Sequence, residues 1–331
     1  MTLTWLEPGD SVAMGRWYDL VVAAGRHDLP DLPPAGRVEH AARFAWPWPG
    51  SAERVLLARD GERVAGAASC LLPEAGKPGV VHLELTVHPG CRGRGVGTGL
   101  LAEVCAVARR HRRSLIEVQA VRALPAGVVR DEAGYRYLTR RGHRPGVVNI
   151  RSRWEVSGPA GEWGHADGYS LVRWRDAAPE EIIEDVAALQ TRFALDASAG
   201  DVAAGRERYD AGRMRAQEAA QRGRGYRTYS TAARHDASGR IVARTKLSFE
   251  ADVDTHARQR ITIVEPAHRG RRLGLIVKSA NHAYARAHVP ALRFVDAWNA
   301  EENTHMRAVN AALGFRPVDA WAVFQLPVPA A

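Results

Sequence analysis

The chain has 331 residues, 46% of them apolar, and a formal net charge of +9. That is about twice a typical domain length, so two domains are the default, and no run of about 18 apolar residues offers a membrane span. Cys70, Cys91 and Cys105 are few, odd in number and without zinc spacing, and the start lacks a basic segment followed by an apolar one, so a cytoplasmic protein without a secretion signal is expected.

From the N-terminus, residues 11–24 read as an N-capped amphipathic helix, with Val12, Trp17, Leu20 and Val21 near helical spacing. The proline-rich 27–36 and the aromatic Trp46-Pro47-Trp48-Pro49-Gly50 are irregular. Residues 54–59 and 63–72 read as two strands about the hairpin turn Asp60-Gly61. A strand then runs from residue 80 to the break at Pro89, followed by an Arg/Gly turn and a helix over 97–110. A strand at 115–121, a helix at 133–141 stopped by Gly142 and a closing strand at 146–154 complete the first half. Residues 157–168 suit a linker. The order then repeats: strand 170–174, helices 180–190 and 205–222, strands 225–234, 241–249 and 259–264, a second Arg/Gly turn, helix 273–288, strand 291–297, helix 302–313 and strand 321–326. A repeat of about 160 residues is too long for a solenoid unit and implies duplicated domains, 1–156 and 169–331.

The turn Arg92-Gly93-Arg94-Gly95-Val96-Gly97-Thr98 has the composition of an anion cradle. Glycines let successive N–H groups point inward, the following helix adds the positive end of its dipole, and arginines supply forked donors. Its second version is Arg269-Gly270-Arg271-Arg272-Leu273-Gly274. A dinucleotide-binding GxGxxG does not fit, because Gly93, Gly95, Gly97 and Gly99 are spaced otherwise. The charge is concentrated: between Arg92 and Arg153 fourteen arginines face four acidic residues. Such a block suits a polyanionic ligand, an RNA partner or a solvated surface.

These residues resemble the GNAT acyltransferases, of the tandem-domain kind that includes mycothiol synthase. That family's acyl-CoA signature is Arg or Gln, two residues, Gly, one residue, then Gly or Ala, between a strand and a helix. Arg92–Gly97 matches in full, and the second copy carries Arg272 in place of the middle glycine. The run from Asn303 to Leu313-Gly314-Phe315 is similar to the family's ending, and residues 137–143 more loosely so. The resemblance implies an α/β fold of two tandem GNAT domains, each a mixed, mostly antiparallel sheet flanked by helices. It implies acetyl-CoA as co-substrate and no metal. Val87 and His88 would offer backbone to pantetheine, and Arg92, Gly93, Arg94, Gly95, Val96, Gly97 and Thr98 would hold the diphosphate. Arg269, Arg272 and Gly274 would form a residual site.

Transfer of an acyl group from a thioester to an amine needs a proton acceptor for the amine, a donor to the carbonyl oxygen and a proton for the thiolate. Alternation puts His82, Glu84 and Thr86 on one strand face, and Glu84 stands where many GNAT enzymes keep a glutamate base. Ile261 occupies that position in the second copy, so the N-terminal domain is expected to be the donor site. The family's acid, a tyrosine four residues before the terminal glycine, is replaced by Leu138 and Asn310. Tyr137 lies one residue away, about 100° round a helix, and serves only in an unusual register. Asp28 and Asp31 would hold a cationic amine, with Trp46 and Trp48 as pocket walls. The expected activity is acetyl transfer from acetyl-CoA to a primary amine of a small molecule by direct attack, without a membrane partner. Two rivals remain: an aminoacyl-tRNA-dependent transferase, with 92–153 as the tRNA surface, and a non-catalytic acyl-CoA-binding module.

Overall fold

A computed structural model describes residues 1–74, 76–156, 163–197 and 207–329. Strand β1 (Thr2–Trp5) precedes helix α1 (Ser11–Asp28), whose cap Asp10 accepts from the Ala13 N–H at 2.9 Å. A short α2 (Arg37–Ala42) leads to the hairpin β2 (Ser51–Asp60) and β3 (Arg63–Pro73). Then come β4 (Val80–Val87), a 3-10 turn at Pro89–Cys91, α3 (Val96–Arg110), β5 (Leu115–Ala123), α4 (Ala133–Thr139) and β6 (Pro145–Glu155). The plan recurs as β7 (Tyr169–Arg175), α5 (Ile183–Ala197), α6 (Ala211–Gly223), β8 (Arg227–His235), β9 (Ile241–Phe249) and β10 (His256–Val264). It ends with α7 (Leu273–His288), β11 (Phe294–Ala300), α8 (Thr304–Ala312) and β12 (Arg316–Pro327). Both β1 and α2 are absent from the sequence reading: β1 is only four residues long, and α2 follows the prolines directly.

The chain forms two compact units, Met1–Ile150 with Val318–Ala331, and Arg151–Pro317. In the first, the strand order is β1-β2-β3-β4-β5-β12-β6, and β4 and β5 run parallel. In the second it is β7-β8-β9-β10-β11-β6, with β10 and β11 parallel. No described helix is long and apolar enough to cross a membrane.

The division read from the sequence assigned the last strand to 169–331 and closed the first sheet with 146–154. The chain instead returns, and β12 lies antiparallel on β5 from Asp319↔Ala123 to Pro327↔Leu115, with β6 beyond it. Alternation says which face of a strand is apolar but not which strand lies beside it. Burial makes the choice here: Ala322, Phe324 and Leu326 share one core with Ile116, Val118, Leu100 and Val104.

The feature that positions the site is where β4 and β5 part. They pair only from Val80↔Leu115 to Leu83↔Val118, whereas β4 stays on β3 as far as Val87↔Gly66.

Candidate active site

The His88 N–H donates to the Ala65 carbonyl of β3 at 2.9 Å. Alternation along an antiparallel ladder then turns the backbone groups of Glu84, Thr86 and His88 toward β3, and those of Leu85 and Val87 toward the gap left by β5. Beyond the 3-10 turn, Gly93 (φ +74°) and Gly95 (φ +81°) take left-handed conformations that cost other residues about 1–2 kcal/mol. Gly95 caps α3, and the N–H groups of Val96, Gly97 and Thr98 find no acceptor among the described residues. A Cβ on Gly97 would stand 3.5 Å from Val87 Cγ2, an ordinary contact, so the start of α3 lies beside the end of β4 with room for a small side chain.

A cleft of about 1190 Å³ in the first unit joins this turn to the sheet face beside it. Glu84 lines it, 69% exposed, and accepts from Arg43 Nη2 at 3.2 Å. The same guanidinium lies 2.7 Å from Glu53, a carboxylate only 4% exposed that also accepts from Ser69 Oγ at 2.7 Å. Glu117 of β5 is held down to about 2, first by its hydrogen bond with His82 and then by Gln325 and Lys77, against the opposing effect of burial. Glu53, Arg43 and Glu117 were not singled out in the sequence, since each acquires its setting from partners on other elements.

Tyr137 also lines the cleft, while Leu138, at the family's tyrosine position, is 3% exposed in the core. The His143 N–H donates to the Leu138 carbonyl and the Gly142 N–H to the Thr139 carbonyl, which closes the end of α4. The Tyr137 hydroxyl is buried with no hydrogen-bond partner among the described residues, and the Arg141 guanidinium lies 3.8 Å over its ring. Arg141 also donates to Thr98 Oγ1 at 2.6 Å, which puts a cation at the start of α3.

Several expected roles are corrected. The Arg92 guanidinium does not face the turn: it donates to Asp28 Oδ2 and Asp131 Oδ2 at 2.7 Å each and to the Val87 carbonyl at 3.3 Å. Arg92 therefore ties the end of α1 and the loop before α4 to the end of β4. Asp28 is consumed by that contact and by His27 at 2.9 Å, and Asp31 pairs with Arg130 at 2.5 Å, so neither is free for an amine. His27, Asp28 and Asp131 come close enough to hold a metal, but Arg92 reaches both carboxylates of that cluster. The His88 backbone is spent on Ala65 and on Cys91 N–H. Arg94 is exposed, and neither it nor Trp46 lines the cleft; Trp48 does, with Trp321 of β12.

The second turn repeats the construction. Arg269 donates to the Val264 carbonyl at 3.1 Å and to Asp196 at 3.0 Å, as Arg92 does to Val87 and Asp28. Arg272 takes the left-handed cap position (φ +56°) that Gly95 fills in the first turn, so the backbone shape survives the substitution. A Cβ on Gly274 would meet Val264 Cγ2 at 3.6 Å. Ile261, opposite Glu84 in the alignment, is 4% exposed and packs in the core.

The sequence profile of the acetyltransferase (GNAT) family matches residues 22–125. Along all of both chains, the protein is 30% identical to a tandem GNAT protein from the clavulanic acid biosynthesis pathway, a structure without acetyl-CoA, at a TM-score of 0.87. The chain belongs to the GNAT acetyltransferase family. This tandem GNAT protein also shares its fold with a GCN5-related N-acetyltransferase from Sphaerobacter thermophilus (16% identity, TM-score 0.69, covering 100% of this chain and 96% of the other). No curated protein sequence matches it. Family membership supports acyl transfer with acyl-CoA as co-substrate.

Proposed function

We propose that the first unit transfers an acetyl group from acetyl-CoA to a primary amine of a small molecule by direct attack. The observation that carries this reading is one cleft joining the parted β4 edge, the start of α3, Glu84 and Tyr137. The donor set fits the co-substrate. The outward-facing backbone of Leu85 and the Val87 N–H, with the Val87 carbonyl held by Arg92, offer strand-like hydrogen bonds to an amide-bearing arm, and the free N–H groups of Val96, Gly97 and Thr98, with Arg141, suit a diphosphate.

Acetyl-CoA supplies a thioester carbonyl already activated toward amines. Glu84, held by Arg43 and open to water, takes the proton from the attacking amine, directly or through one water. An outward N–H of β4 steadies the carbonyl oxygen as charge builds on it. The unpaired Tyr137 hydroxyl hands its proton to the departing thiolate. Ile261 in place of a carboxylate supports assigning the chemistry to the first unit.

A small acceptor agrees with a relative drawn from a biosynthetic pathway. Within the basic block, Arg92, Arg110, Arg130, Arg136, Arg151 and Arg153 are each near carboxylates, which favours a small donor over a tRNA surface. The test is thiol release from acetyl-CoA across a panel of amines. Glu84→Gln should slow turnover at neutral pH and leave coenzyme A affinity intact; unchanged turnover removes Glu84 from the base role, and binding without turnover on any amine favours a non-catalytic module.

A further inference from the structure

The second unit carries a group of cations that the transferase reading does not use. Alternation along β9 turns Arg244, Lys246 and Ser248 to one face, the face reached by α5 and α6. Arg244 Nη2 donates to Gln190 Oε1 of α5 at 2.7 Å, and Lys246 Nζ to Gln221 Oε1 of α6 at 3.3 Å. From β10, Arg260 Nε donates to Ser248 Oγ at 2.7 Å. All three partners are neutral. Lys246 occupies the place that Ser69 holds in the first unit, as the matched pairs Val87↔Gly66 and Val264↔Ala243 show, so a cation stands where the first cleft has a hydroxyl beside two carboxylates.

Among the described residues no carboxylate lies within ion-pair distance of Arg244, Lys246 or Arg260. The acid that acts electrostatically on Arg244 and Lys246 is Glu218, and both its oxygens are taken: Oε1 accepts from Ala178 N–H at 2.9 Å and Oε2 from Arg215 at 2.8 Å. Arg244 is 3% exposed, and its Nε is buried without an acceptor. Buried arginine N–H groups without an acceptor recur elsewhere, but the equally buried Arg130 and Arg151 each have a counter-charge, Asp319 and Asp296 respectively. Leaving a buried charge without a counter-charge destabilises the fold. Burial, then the arginines beside it, push Lys246 down to about 7, and burial pushes Arg244 down to about 10.

We infer that Arg244, Lys246 and Arg260 form a binding site for the oxyanion of a small ligand, a phosphate or a carboxylate, on the α5/α6 face of the second unit. Arg244 supplies the buried fork, Lys246 a point charge on the same face, and Arg260 an exposed donor beside them. An oxyanion there supplies the counter-charge that the cluster lacks.

The chain has only three lysines, Lys77, Lys246 and Lys278, so the site can be read directly. The full-length protein is treated with limiting acetic anhydride, a neutral reagent, and modification of each lysine is followed by peptide mass spectrometry. Inorganic phosphate and succinate are titrated separately, with sodium chloride at matched ionic strength as control. Saturable protection of Lys246, with Lys77 unchanged, is expected from at least one of the two anions, and the more potent one names the ligand's charged group. Arg244→Gln and Arg260→Gln should each raise the half-protecting concentration by about tenfold, since a charge-assisted hydrogen bond is lost. Should Arg244→Gln fail to fold, Arg260→Gln, at an exposed position, still decides. Protection no better than sodium chloride, or half-protection unmoved in Arg260→Gln, overturns the inference.

Discussion

Replacing Phe324 by alanine tests whether the last strand is structural to the first unit. Phe324 is 0% exposed, lies in a core with Ile116, Val118 and Leu100, and meets the Tyr135 ring edge-on at 5.6 Å. Removing a buried phenylalanine costs about 3–5 kcal/mol through lost transfer energy and the cavity left behind. Loss of the edge-on ring contact accounts for roughly 0.5–1.5 kcal/mol within such a figure. Two compact units make a single global unfolding energy ambiguous, so the assay is native-state hydrogen exchange followed peptide by peptide. Amides of Leu115–Ala123 and of α3 should exchange faster by the equivalent of about 3 kcal/mol, roughly a hundredfold or more, while β8, β9 and β10 keep their protection. Unchanged β5 exchange, or acceleration confined to β8–β10, would refute the placing of β12.

Three further outcomes follow. Tyr137→Phe should lower kcat by tenfold or more with coenzyme A affinity unchanged, because the hydroxyl has no structural partner; an unaltered kcat in steady-state assays would make Tyr137 a wall residue. Arg92→Met should destabilise the first unit at neutral pH. Burial alone would raise the Asp131 carboxyl, but Arg92, the Ala133 N–H and Arg136 hold it below its ordinary value of 3.8. That share of stability is present above the unfolded value and lost as pH falls through the lower folded one, so urea midpoints of the wild type should fall more steeply in acid than those of the variant. Lys278, 1% exposed and bonded to Asn310, is pushed down by burial from 10.5 to about 7. Between those values the unfolded chain binds the extra proton, so Lys278 makes stability rise with pH by about 1.4 kcal/mol per unit. Lys278→Met should remove that slope and stabilise the chain at pH 7, as judged by urea midpoints compared across the window; parallel pH profiles would show that Lys278 is charged in the folded state.

Much of the first Arg/Gly turn was legible because it is local. Glycines at the left-handed positions, the strand before them and the helix after them fix its shape within about twenty residues, and the same spacing downstream revealed the duplication. What escaped the sequence depends on distant partners. Arg92 looked like a phosphate ligand until Asp28 and Asp131 closed on it from two other elements. Tyr137 fell outside the family spacing, and which residue of α4 faces the cleft is settled by packing, with Leu138 taken into the core. The last strand carries Trp321 into the first cleft from nearly two hundred residues beyond β5, and nothing in its alternation names β5 as its neighbour.

The account rests on the α3 turn of the first unit being the acyl-CoA site, and one substitution addresses that turn without disturbing it. Gly97 is not in a left-handed conformation, and a side chain there meets only ordinary contacts, so Gly97→Asp is tolerated by the backbone and favoured by the helix dipole by about 0.3–1 kcal/mol. It nevertheless puts a carboxylate where the phosphates would lie. Calorimetric titration with acetyl-CoA of the wild type, Gly97→Asp and Gly274→Asp should show binding lost in Gly97→Asp and retained in Gly274→Asp. Binding that survives Gly97→Asp, or disappears only in Gly274→Asp, would contradict the account.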